Sequence, residues 1–165
     1  MARLVLSEAH SDRVEKILRE LLGKTGARCA ILADISGQLL AVEGRVKGLD
    51  TTVLAALIAG NVAATAEMAR LLGERKHFQI LFHQGEEHNL HLGAIGTSFL
   101  LAVVFSVQTQ IGLVRLFAMR AAEELGKMAP EWESLVMVPG ASTQTVPEDF
   151  AQTLADELDN FLKQE

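Results

Sequence analysis

There is no tyrosine in this 165-residue chain, and aromatic residues make up only 5% of it. That scarcity counts against a site that stacks bases on aromatic side chains. With a single cysteine, Cys29, no intramolecular disulfide can form, and a reducing, cytoplasmic setting is expected. Cys29 lies in an apolar segment beside Arg28 and reads as core packing. Positive charge is in deficit: 15 Lys and Arg against 21 Asp and Glu leave a formal net charge of -6. Such a balance disfavours nonspecific binding to nucleic acid or to anionic membranes. Met1 to Asp12 lacks the apolar core of a signal peptide, so none is expected. Apolar runs such as Phe99 to Phe105 fall well short of the ~20 residues that span a bilayer.

Chemistry-bearing motifs are missing as well. G-x-S-x-G, C-x-x-C and H-E-x-x-H do not occur. Gly23-Lys24-Thr25 mimics the end of a P-loop, but Leu18 stands where the first glycine is needed, and the segment closes a helix instead of following a strand. His88 and His91 resemble a metal pair, yet residues three apart on a strand point to opposite faces. His83 and His88 flank one turn without a third ligand at a recognisable spacing. These histidines, and His77, read as surface or loop residues. Glu123 and Glu124 read as a solvated helix face. The residues therefore point to no catalytic centre, no metal and no cofactor.

What is present is a mixed pattern on a hydrophobic background of 49%, enough for one domain with a real core. Ser11 can cap a helix with the stripe Val14, Ile17, Leu18, Leu21 and Leu22, ended by Gly23 and Gly26. Arg28 to Asp34 and Gln38 to Val42 read as a hairpin turning at Ile35-Ser36-Gly37, with Gly44 to Gly48 as loop. Asp50 or Thr51 caps a long helix from Thr52 to Leu72, stopped by Gly73. Three strands follow, Lys76 to His83, His88 to Ile95 and Phe99 to Phe105, with Gly85 and Gly96 in the turns. Thr109 can cap a last core helix through Lys127, whose inner stripe is Ile111, Val114, Ala118, Ala121 and Leu125. This order predicts an α+β fold: one antiparallel sheet with helices on its faces.

Pro130 to Pro147 holds all three prolines and reads as a linker. Thr145 and Glu148 then have capping-box spacing. Beyond them, Phe150, Leu154, Leu158 and Phe161 line one face of a short helix whose remainder, with Asp149, Asp156, Glu157 and Asp159, is acidic. The predicted organisation is a domain over 1–128, a linker over 129–146 and an amphipathic tail helix over 147–165.

The long central helix departs from the usual surface helix because it is apolar almost all round. Leu54, Ile58, Val62, Thr65, Ala69 and Leu72 make one side, and Ala56, Gly60, Ala63 and Glu67 make another. Asn61, Glu67 and Arg70 argue against a membrane span. Small residues at helical spacing let another backbone approach closely, whether the chain's own sheet or a second molecule. The tail helix leaves the same choice open, between its own domain and a partner.

Leu49-Asp50-Thr51-Thr52 followed by Ala59-Gly60-Asn61-Val62-Ala63-Ala64 resembles the central helix of the Roadblock family, most closely its bacterial MglB-type branch. The likeness continues through Leu71-Leu72-Gly73-Glu74, Phe82-His83-Gln84-Gly85, Val103-Val104-Phe105 and Ile111-Gly112-Leu113-Val114-Arg115-Leu116. It covers roughly Val14 to Lys127, with a weaker likeness around Asp156 to Phe161. The resemblance implies a five-stranded sheet with the central helix on one face and the first and last core helices on the other. It implies a homodimer paired through the third strand, here Lys76, Phe78, Ile80 and Phe82. Two central helices would then form a platform for a Ras-like (MglA-type) small GTPase, centred on Ala56, Gly60, Ala63, Ala64 and Glu67. It further implies that GTP hydrolysis is stimulated without an inserted arginine, and that the tail residues Phe150, Leu154, Leu158 and Phe161 contact the GTPase. A scaffold that holds a partner without affecting turnover, and a small-molecule sensor domain, are the rival readings.

Overall fold

A computed structural model describes residues 4–136. Helix α1 (Glu8–Thr25) is capped by Ser7, whose hydroxyl accepts from the His10 N–H at 3.3 Å. Ser11, the cap expected from sequence, lies one turn inside and donates its own N–H to the Ser7 carbonyl. Gly26 closes the helix in the left-handed conformation, its N–H donating to the Leu22 carbonyl. Strands β1 (Cys29–Asp34) and β2 (Leu39–Gly44) form the expected hairpin. The Asp34 carboxylate holds its turn by accepting from the Ser36 and Gln38 N–H groups at 2.9 Å each.

Asp50 caps α2 (Thr51–Leu71) by accepting from the Val53 N–H at 3.0 Å. Strands β3 (Ile80–Gln84), β4 (His88–Ile95) and β5 (Phe99–Ser106) follow. The sheet is antiparallel in the order β2-β1-β5-β4-β3, so β2 and β3 are its edges. Helix α3 (Ile111–Gly126) begins at Gln110, which makes no side-chain cap, and not at Thr109. Of its expected inner stripe, Val114, Ala118, Ala121 and Leu125 are buried, while Ile111 is exposed.

The sheet divides the core in two. Helices α1 and α3 cover one face through Val14, Leu18, Leu101, Val103, Phe105, Val114 and Leu125. Helix α2 covers the other through Ala55, Ile58 and Ala59, against Ile31, Ala33, Leu92 and Leu100. By length and composition α2 is apolar enough to cross a membrane, but here it is the core helix of that second layer.

The segment expected to start a linker instead forms α4 (Ala129–Val136). Pro130 sits in its first turn, where a missing N–H costs nothing. Trp132 is fully buried, edge-on to Phe99 with ring centroids 5.2 Å apart. His10, on α1, bonds Glu131 at 2.8 Å and ties α4 to the domain. The remainder of the expected linker and the tail helix, with Phe150, Leu154, Leu158 and Phe161, lie outside the described residues.

Candidate functional site: the outer face of α2 and the β3 edge

Because α2 buries only one side, its apolar periodicity leaves a second apolar line facing outward. Val53, Leu57, Gly60, Ala64, Met68 and Leu71 recur at helical spacing, and all are exposed, Leu57 by 66% and Leu71 by 72%. The expected platform residues Ala56, Gly60, Ala63, Ala64 and Glu67 are all exposed on α2. Ala56 packs against the β1–β2 turn: a Cβ placed on Gly37 would come within 2.8 Å of the Ala56 Cα, so the turn needs glycine at 37. A Cβ on Gly60 would meet nothing within 4 Å. Packing among the described residues therefore gives no reason for Gly60. Leu72, read on the same side as Ile58 and Ala69, is 73% exposed, since α2 ends at Leu71 and the chain turns away at Gly73.

Charge on this face is confined to one end. Arg70 donates to Glu67 from Nε at 2.9 Å and from a terminal nitrogen at 2.5 Å. These hydrogen bonds hold the Glu67 carboxyl below the usual range and raise the Arg70 guanidinium further. Arg70 is thus occupied within its own helix, while Arg75 lies in the exposed connection to β3.

Strand β3 starts four residues later than the sequence suggested. Ile80 and Phe82 belong to it; Lys76 and Phe78 do not. Ile80 pairs with Gly93, and one further bond, from the Ala94 N–H to the Gln79 carbonyl, joins the strands before the pairing stops, although β4 itself runs on to Ile95. Phe78 nevertheless stays close, lining a groove of about 450 Å³ between α2 and β3 with Thr65, Met68, Leu81 and His83. Phe82 is 41% exposed, with its ring 6.2 Å from that of Phe105.

The histidines divide. His77, His83 and His88 are exposed, as the sequence suggested, but His91 is buried on β4. Burial lowers its pKa, and Arg115 on α3 lowers it further. The missed signal is that β4 lies inside the sheet, where both sides of a strand are covered. The register sets His83 opposite Leu90 and His88 opposite Ser106, so the two are not partners. Cys29 is buried, and burial pushes its thiol up, as suits a packing residue. Among the described residues no three His, Cys, Asp or Glu side chains converge as metal ligands.

A five-stranded antiparallel sheet with a long helix on one face and two helices on the other is the architecture expected from the resemblance. The Roadblock/LC7 domain matches residues 13–105, and the chain belongs to that family. Within the family it is an MglB-like protein. It is 40% identical to the gliding protein MglB of Thermus thermophilus, covering 79% of this chain and 98% of that one, with a TM-score of 0.74. An MglB with a tetrameric arrangement is 38% identical over 80% of this chain and 98% of that one, also at 0.74. MglB of Myxococcus xanthus is 36% identical over 72% and 96%, at 0.69. No curated protein sequence matches the chain.

Proposed function

We propose that this protein is a cytoplasmic homodimer that binds a Ras-like, MglA-type small GTPase and stimulates its GTP hydrolysis, as part of polarity or motility control. The observation that carries the reading is the outward line of apolar and small residues on α2, in a chain 36–40% identical to MglB structures. An unpaired edge strand and an exposed apolar helix face are liabilities unless something covers them. In the proposed dimer, Ile80 and Phe82 of β3 meet a second copy, with Lys76 and Phe78 beside them. Two α2 helices then lie side by side. Ala56, Gly60, Ala63, Ala64 and Glu67 present a low surface on which a GTPase backbone can settle, and Phe150, Leu154, Leu158 and Phe161 add a tethered contact.

Such a protein needs no active site of its own. GTP hydrolysis is mostly positioning and charge stabilisation, and a surface that favours one switch conformation raises the rate by shifting a population. Arginine insertion is the mechanism to exclude. Arg70 is paired to Glu67, and breaking that pair would be needed before it could reach a nucleotide. The test is single-turnover GTP hydrolysis by the cognate GTPase with and without this protein. Stimulation is expected, with neither Arg70→Ala nor Arg75→Ala losing the roughly thousandfold that a true finger supplies. Binding without any change in turnover would make the protein a scaffold. Light scattering that shows only 17.9 kDa particles at micromolar concentration would remove the dimer on which the reading depends.

A further inference from the structure

At the end of the sheet where β1 and β4 begin and β2 and β5 end, a cavity of about 300 Å³ opens to solvent. Gly26, Arg28, Arg45, Lys47, His88 and Ser106 line it. Among the described residues no carboxylate does. These residues come from distant parts of the sequence and meet through the sheet register, which sets Cys29 opposite both Gly44 and Val104, and His88 opposite Ser106.

Arg28 is held in place. Its Nε donates to the Arg45 carbonyl at 3.2 Å, one terminal nitrogen donates to the Lys47 carbonyl at 3.3 Å, and the other lies 3.3 Å from His88 Nε2. Those carbonyls satisfy donors but bring no opposing charge. Arg45 and Lys47 form no ion pair among the described residues. The Ser106 hydroxyl accepts from the Gln108 N–H at 3.2 Å, which leaves its own proton to donate. Among the described residues, three permanent cations therefore stand together without a counter-ion, in a chain whose net charge is -6. Like charges gathered in a concavity repel one another and focus a positive potential, and an anion bridging them relieves both.

We propose that this cavity binds a phosphate group. Phosphate carries several acceptor oxygens arranged in three dimensions, so one group can take the planar fork of a guanidinium, an ammonium and a hydroxyl together. A carboxylate, with two coplanar oxygens, satisfies fewer of them. The site shares no residue with the α2 platform, and its loop leads directly into the Asp50 cap of α2.

The test uses the full-length protein, titrated with inorganic phosphate at constant ionic strength and followed by NMR. Saturable shifts of the Arg28, Lys47 and His88 amides are expected. The double variant Arg45→Gln/Lys47→Gln alters two exposed side chains and should bind phosphate roughly tenfold or more weakly. Lys16→Gln, an exposed cation on α1 outside the cavity, should leave binding unchanged. A second arm floats the protein with phosphatidylcholine vesicles containing phosphatidylglycerol. Flotation that the double variant loses assigns the phosphate to a lipid headgroup; phosphate saturation without flotation assigns it to a soluble phosphorylated ligand. The site is overturned if neither probe binds, or if the double variant binds as well as the unaltered chain. None of these readouts involves GTP hydrolysis, so the outcome stands apart from the GTPase reading.

Discussion

The two faces of the sheet are built to different standards. Under α1, α3 and α4 the apolar side chains are sealed: Val14, Leu18, Phe99, Val103, Phe105, Val114, Leu125 and Trp132 are each at most 1% exposed. Across the sheet, α2 is the most apolar of the described helices, yet it buries mainly alanines and Ile58, and turns Val53, Leu57, Met68 and Leu71 outward. Helix α3 also shows Leu116 and Met119 to solvent, but between the charges of Arg115 and Arg120. Burial of apolar area is what stabilises a domain. The sealed face therefore holds the fold, and the open face has apolar surface left over for association.

The largest expected effect separates the two faces by stability. Trp132→Ala removes the largest fully buried side chain and should cost about 3–5 kcal/mol in chemical denaturation. Trp132→Phe should cost less, since it also removes an indole N–H that has no partner among the described residues. A small loss for Trp132→Ala would mean that α4 is not part of the sealed layer.

Ala63→Arg tests the open face. Placed on an exposed helix position, it should leave the melting temperature and the dimer nearly unchanged. It should also weaken GTPase binding by roughly a hundredfold, the scale of an interface hot spot. Normal binding by the folded variant would move the platform elsewhere.

A smaller effect is expected from truncation after Ala141. A tethered contact works through effective concentration. Removing it should leave the dimer intact and weaken the complex several-fold, more at low salt because the tail is acidic. If truncation instead lowers the melting temperature of the free protein, the tail belongs to its own domain.

The smallest effect lies inside the sheet. His91 is held neutral by burial, with Arg115 adding to it, so its folded pKa lies below the ordinary 6.5. The unfolded chain then binds a proton that the folded chain does not. Stability from this group is complete above the unfolded pKa and is lost as pH falls through the folded one. His91→Gln should flatten the decline in urea midpoint between about pH 7 and pH 5. An unchanged slope would mean that other groups set the acid limit.

Elements whose signals are local could be read before the structure. Strand β4 has its expected bounds because Gly85 and Gly96 punctuate it, and α2 follows its Asp50 cap and Gly73 stop to within a residue. The start of β3 could not be read, since Lys76 to Gln79 carry no turn signal and the pairing with β4 begins only at Ile80. Helix α4 was hidden by Pro130, and only the pocket around Phe99 explains why Trp132 is there. On α2, the small stripe of Ala56, Gly60 and Ala63 is legible as periodicity, whereas the outward exposure of Val53, Leu57, Met68 and Leu71 is not. The contact of Gly37 with Ala56 could not be read, since the hairpin turn and the helix meet only in the fold. The Arg28 cluster was illegible because its members meet only through strand register.

The contact at Gly37 has a mechanical consequence. Its backbone, at φ +90, fits directly against Ala56, and the Asp34 carboxylate fixes the turn that carries it. The hairpin tip thus works as a shim beneath the first half of α2. Thickening it by one methyl group would strain a backbone angle that L side chains rarely adopt and would lever the N-terminal half of the helix away from the sheet. The pitch of the outward surface is therefore set in part by a turn of the distant β1–β2 hairpin.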